Sequence, residues 1–164
     1  MLTSSSLYFV FRMPHYNNTA AWVIGFVLVL VGLIGEGVAD QQLDNFRKKG
    51  IKGAILHSGL WTYSRHPNLF FELVVWIGFA VAGIHNNAIE LLGFVSVLVL
   101  WAIMKFLTIP ITEEYMNKTR PVTFPEFKKR SNEFLIFKFC KSPPLSQEMK
   151  EAFDGGEAGK KVNQ

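Results

Sequence analysis

The chain has little cysteine: Cys140 stands alone among 164 residues. A lone thiol excludes an internal disulfide and a cysteine-built zinc site. Acid is also scarce. Thirteen Asp and Glu against 17 Lys and Arg leave a net charge of +4. The surplus is uneven, with Lys and Arg concentrated in the 47–65 loop and after Lys105. Aromatic residues do not interleave with these cations, so the pattern does not point to nucleic acid. In an apolar chain it bears on membrane topology and lipid head groups. No cleavable signal is expected, because Met1 to Tyr8 has no basic n-region. Ser4, Ser5, Ser6 and Arg12 are compatible with a mitochondrial presequence. Internal repeats are absent, and the length implies one domain.

What is present is apolar and comes in blocks. Hydrophobic residues make up 49% of the chain and aromatics 14%. Ala20 to Gly35 carries no charge, and with Asn17-Asn18-Thr19 it reaches the roughly 20 residues that a membrane helix needs. The helix is expected to continue, because Glu36, Asp40 and Asp44 recur every four residues, with Arg47 three further on. Lys48-Lys49-Gly50-Ile51-Lys52-Gly53 reads as a basic loop. His57, alone in the connector that follows, reads as structural. Leu69 to Ile84 is a second, shorter apolar helix, His85-Asn86-Asn87 a tight turn, and Ala88 to Ile109 a third span closed by Pro110. Phe124 to Arg130 reads as a short amphipathic helix whose phenylalanines and cations suit a membrane surface. Phe134 to Phe137 is a second interfacial patch. The expected fold is therefore all-α integral membrane: about three transmembrane helices plus a C-terminal interfacial amphipathic helix. An N-terminal stub covers 1–19, the membrane domain 20–140 and a polar tail 141–164. The tail has too little apolar surface to fold alone. Positive charge should hold 47–65 and 110–164 on one side, with the 85–87 turn on the other.

The densest polar stretch is Gly59-Leu60-Trp61-Thr62-Tyr63-Ser64-Arg65-His66-Pro67-Asn68-Leu69-Phe70-Phe71-Glu72, which runs into an apolar helix. Pro67 suits a first helical turn, and Asn68 and Glu72 then share one face. Free N–H groups at that helix start, with Arg65 beside them, would attract a phosphate. The alternative is an anchor: Arg65 and His66 at the interface, and Glu72 paired within the protein.

Three ordered motifs carry a resemblance. Glu36-Gly37-Val38-Ala39-Asp40-Gln41-Gln42 to Phe46, then Gly59 to Glu72, then Pro110, Glu114, Thr119-Arg120-Pro121, Phe127, Ser131 and Phe134 look like the steroid 5-alpha-reductase C-terminal-like membrane proteins. The resemblance spans roughly Ala20 to Phe137 and extends distantly to sterol reductases and isoprenylcysteine carboxyl methyltransferases. It implies an NADPH pocket facing the cytosol. Arg65, His66 and Asn68 would hold the cofactor, with Glu72 below them. Gln42 and Arg47 match a second contacting stretch, although a lysine common in sterol reductases is here Leu43. Glu114 and Arg120 match a third. The implied reaction is hydride transfer to an electron-poor C=C of a sterol or other lipid, with catalytic roles for Tyr63, as proton donor, and Glu72. The chain departs from the family where Tyr and then Phe-Gly usually follow the motif's Asn; here they are Leu69, Phe70 and Phe71. Members also carry more N-terminal helices, which wall the lipid cavity, so this chain resembles a shortened one. Three helices hardly enclose a sterol. A catalytically silent accessory subunit of a large membrane complex, such as a respiratory one, therefore stands beside the reductase. An S-adenosylmethionine-dependent methyltransferase is a weaker alternative. The expected partners are the bilayer, a lipid and other membrane subunits. The expected location is the endoplasmic reticulum or the mitochondrial inner membrane.

Overall fold

The computed structural model describes residues 19–50, 54–84, 91–121 and 123–136. Residues 1–18 of the N-terminal stub, Lys52, the His85-Asn86-Asn87 turn, Phe137, Cys140 and the tail lie outside the described residues. Helix α1 is Thr19–Lys48, α2 is Pro67–Ala82 and α3 is Gly93–Ile103. A π-helical turn, Met104–Thr108, leads from α3 into α4, Ile109–Thr119; α5 is Thr123–Arg130. A 3-10 turn, Gly59–Thr62, lies between α1 and α2. No strand occurs among the described residues.

The first helix runs far past Gly35, as its acidic i, i+4 series requires. Pro67 opens α2, two residues before the expected Leu69, because a helix start does not need its missing N–H. Pro110 does not close the third span. The helix passes through it to Thr119. A proline inside a helix normally loses one hydrogen bond and drives its ring against the carbonyl four residues back. That carbonyl belongs to Phe106, inside the π turn, whose wider register relieves both problems.

Two helical stretches, Thr19–Lys48 and Gly93–Thr119, are long and apolar enough to cross a membrane. The apolar helix α2 has 16 residues, or about 24 Å at 1.5 Å each, against a hydrocarbon core of about 30 Å. Large side chains on α1 and α3 point outward, among them Ile24, Val27, Leu33, Ile34 and Leu98. Water would penalise such surfaces and lipid does not. The chain is an integral membrane protein.

The chain divides into two compact units. The first comprises 1–37 and 68–108. Within it α1 and α2 meet through small residues. A Cβ placed on Gly25 would stand 2.5 Å from the Gly78 oxygen and from the Ala82 nitrogen, and one on Gly78 would stand 2.8 Å from the Gly25 oxygen. Such backbone contact is how helices associate when burial from water offers no drive. Gly32 packs in the same way on Phe71 and Val75.

The second unit comprises 38–67 and 109–164. Its core is Ile55, Phe124 and Phe127, with Met116 against them. This corrects one expectation. Helix α5 exists, but its two phenylalanines are buried in this core and do not face a membrane surface. Their spacing of three puts both on one side of the helix, and a core inside the unit uses that side.

Candidate functional site

The second unit contains a polar site built around the 59–66 segment. Gly59 has a positive φ of 64°, which side-chain-bearing residues adopt only with strain. The sharp bend sends the backbone past the end of α1. There the Leu60 N–H donates to Gln42 Oε1 at 3.1 Å, and Trp61 Nε1–H donates to the Ala39 carbonyl at 3.1 Å. Thr62 Oγ1 donates to the His57 carbonyl at 2.7 Å. The next residues are strapped to the chain after α5. Arg65 N–H donates to the Asn132 carbonyl at 2.8 Å, and Asn132 N–H to the Tyr63 carbonyl at 3.0 Å. Ser64, fully buried, donates through Oγ to the Phe134 carbonyl at 3.0 Å and accepts from His66 N–H at 3.2 Å. Backbone bonds of this kind hold residues 63–66 in one conformation.

Side chains complete the lock. Arg65 Nε donates to Glu113 Oε1 at 2.6 Å, and its Nη1 donates to the carbonyls of Ser131 at 2.6 Å and Lys128 at 3.2 Å. Lys128 Nζ lies 2.7 Å from Glu113 Oε2. His66 Nε2 stands 3.7 Å from Glu113 Oε1, too far for a hydrogen bond but near enough for direct electrostatic contact. One carboxylate thus faces three basic side chains from two segments. Arg65 and Glu113 are both buried.

Beside Glu113 lies a cavity of about 440 Å³. Ile109, Phe124 and Pro125 supply apolar wall, and Glu113, Glu114, Glu133 and Lys128 supply charge. Of these carboxylates Glu113 is held by Arg65 and Lys128, and Glu114 is paired with Lys118.

The residues expected from the sequence fall in several places. Arg65 and His66 are brought together, with Arg65 occupied by protein acceptors. Asn68 and Glu72 stand one turn apart at the start of α2, are half-buried and belong to the first unit. Gln42 braces the 3-10 turn. Arg47 is exposed in the last turn of α1. Tyr63 is 42% exposed, and its backbone carbonyl is what joins the strap. Glu114 is exposed and paired with Lys118 at 2.6 Å, outside the lock. Arg120 is half-buried, with Nη1 2.8 Å from Met116 Sδ and its Nε unpartnered among the described residues. Burial pushes its guanidinium below the ordinary value, and Tyr115 opposes that.

Sequence reasoning missed Glu113 and Lys128. A signal for Glu113 existed. Ile109, Glu113 and Met116 follow one another at helical spacing and form the inner side of α4, with Arg120 next in phase just past its end, while Glu114 falls outside it. That signal is readable only if the helix continues through Pro110.

A family model described as "Protein of unknown function (DUF1295)" matches residues 1–131. The 3-oxo-5-alpha-steroid 4-dehydrogenase 1 proteins of Mus musculus and Rattus norvegicus are each 44% identical to this chain over 62 residues. Those residues are 37% of this chain and 24% of each relative, so the chain spans about a quarter of the length of the curated relatives it matches. No solved structure matches.

Proposed function

This chain belongs to the DUF1295 family of steroid 5-alpha-reductase-like membrane proteins, and from that membership we propose that it is a membrane-embedded reductase of a lipid C=C bond. The observation that carries the reading is the 44% identity to two 3-oxo-5-alpha-steroid 4-dehydrogenases. By this analogy the substrate is an enone, such as a 3-oxo steroid with a double bond at the neighbouring carbons. NADPH, when bound, supplies the hydride. Arg47 and Arg120 are the cations we assign to its phosphates, with Gln42, His66 and Asn68 as further polar contacts. Arg65 leaves that list, because Nε and Nη1 are committed to protein acceptors. Tyr63, with its exposed ring, is the proposed proton donor, and Glu72 the second catalytic group.

The test is turnover of the purified protein in nanodiscs with NADPH and such an enone steroid. Loss of nicotinamide absorbance that depends on steroid, with the saturated ketone formed in equal amount, is expected. Absence of both, together with migration only in a large assembly on mild native electrophoresis, would instead establish the accessory-subunit reading. One observation favours that second reading: Arg65, the motif's cation, is spent inside the protein.

The proposed topology has three spans, with 47–65 and 110–164 on one side and 85–87 on the other. It is supported by the excess of Lys and Arg in the first two segments and its lack in the third. Asn86→Cys and Lys129→Cys, each in a Cys140→Ser background, should label with a membrane-impermeant maleimide from opposite sides of sealed vesicles. Labelling from the same side would overturn the arrangement.

A further inference from the structure

His66 is a buried imidazole that the proposed reaction leaves without a defined state. Its backbone is fixed on both sides, by Ser64 Oγ at its own N–H and by the Arg65–Asn132 bond before it. Its Nε2 is buried and has no hydrogen-bond partner among the described residues. The nearest opposite charge is Glu113 Oε1, at 3.7 Å. That carboxylate cannot turn away, because Arg65 holds Oε1 at 2.6 Å and Lys128 holds Oε2 at 2.7 Å.

A neutral imidazole carries one N–H and one lone pair, and its surroundings select which nitrogen bears which. A lone pair on Nε2 would face a fixed negative oxygen and be repelled. An N–H there is attracted. We propose that Glu113 is a positioning residue for His66: it keeps the proton on Nε2 and so leaves Nδ1 as the acceptor that the ring offers to an N–H or O–H donor on a bound ligand. The ligand role rests on the reductase reading above, whereas the tautomer does not. A failed turnover assay therefore leaves the tautomer claim standing, and a failed tautomer claim leaves turnover untouched.

The measurement is nitrogen NMR of the full chain in detergent micelles, with 15N-labelled histidine and the His66 signals assigned through His66→Asn. At a pH where the ring is neutral, wild type should show the two limiting ring shifts of a pure Nε2–H tautomer. Glu113→Gln, which keeps shape and removes charge, should move both shifts toward the average of a mixed population. Lys128→Met should stay near wild type, because Arg65 still holds the carboxylate. Averaged or Nδ1–H shifts in wild type would overturn the proposal even if no variant folds. Limiting Nε2–H shifts that persist in folded Glu113→Gln would overturn it as well, since the carboxylate would then not be what selects the tautomer.

Discussion

Replacing Glu113 with alanine is expected to destabilise the second unit by about 3–5 kcal/mol, the range for removing one partner of a buried ion pair. Arg65 is then left with its charge in a place that is 7% exposed, retaining only the Ser131 and Lys128 carbonyls as acceptors. Desolvation of an unpaired guanidinium sets the size of the loss. The Lys128 contribution is small by comparison, because that side chain is 55% exposed and solvent screens it. Lys128→Met should therefore cost no more than about 1 kcal/mol. Trp61 lies in the same unit and reports its unfolding by fluorescence during titration with a denaturing detergent. The double variant Arg65→Leu with Glu113→Leu is the informative comparison. It removes both charges together, so it should cost less than the two single losses added. Additive losses, or a Glu113→Ala cost below about 1 kcal/mol, would mean that the pair is not the lock described above.

The second large effect belongs to the first unit. Gly25→Leu should separate α1 from α2, with a cost at or above the roughly 1–3 kcal/mol of ordinary overpacking. Ordinary overpacking is relieved when side chains move. Here the added Cβ would meet the Gly78 carbonyl oxygen and the Ala82 nitrogen, each at 2.5 Å, and both are backbone atoms. Nothing can yield except the helix itself. Gly37→Ala is the control on the same helix. Its Cβ would meet nothing within 4 Å. It should be neutral, or stabilising by up to about 0.5–1 kcal/mol, because alanine loses less chain entropy in a helix. Equal stability of the two variants in detergent-induced unfolding would show that the close approach at Gly25 does not hold the helices together.

Glu113 and Glu114 show where reading the sequence stopped. They are adjacent, equally charged and both near Pro110. Treating Pro110 as a helix end removed the phase that tells them apart. With the helix continued, Glu113 falls in line with Ile109 and Met116, and Glu114 faces outward to Lys118. Similarly, the Phe124 and Phe127 stripe was correctly assigned to one helix face. What that face meets, Ile55 and Met116, lies far away in the chain, and spacing carries no information about it.

The sequence alone determined that the chain is helical and membrane-embedded, that Pro67 suits a first helical turn, that α1 outruns its apolar part, and which family it resembles. Each follows from something local: uncharged runs long enough to span, a proline whose missing N–H suits a first turn, carboxylates four apart, and motif order. Tertiary structure alone decided that Arg65 is tied to Glu113, 48 residues away, that Lys128 shares the same carboxylate, and that Gly25 meets Gly78. The reason is physical. A buried guanidinium must find an acceptor, and a helix in lipid must find a surface it can approach closely. Composition states both needs. Only the folded chain, by bringing distant segments within a few ångströms, determines which residue meets them.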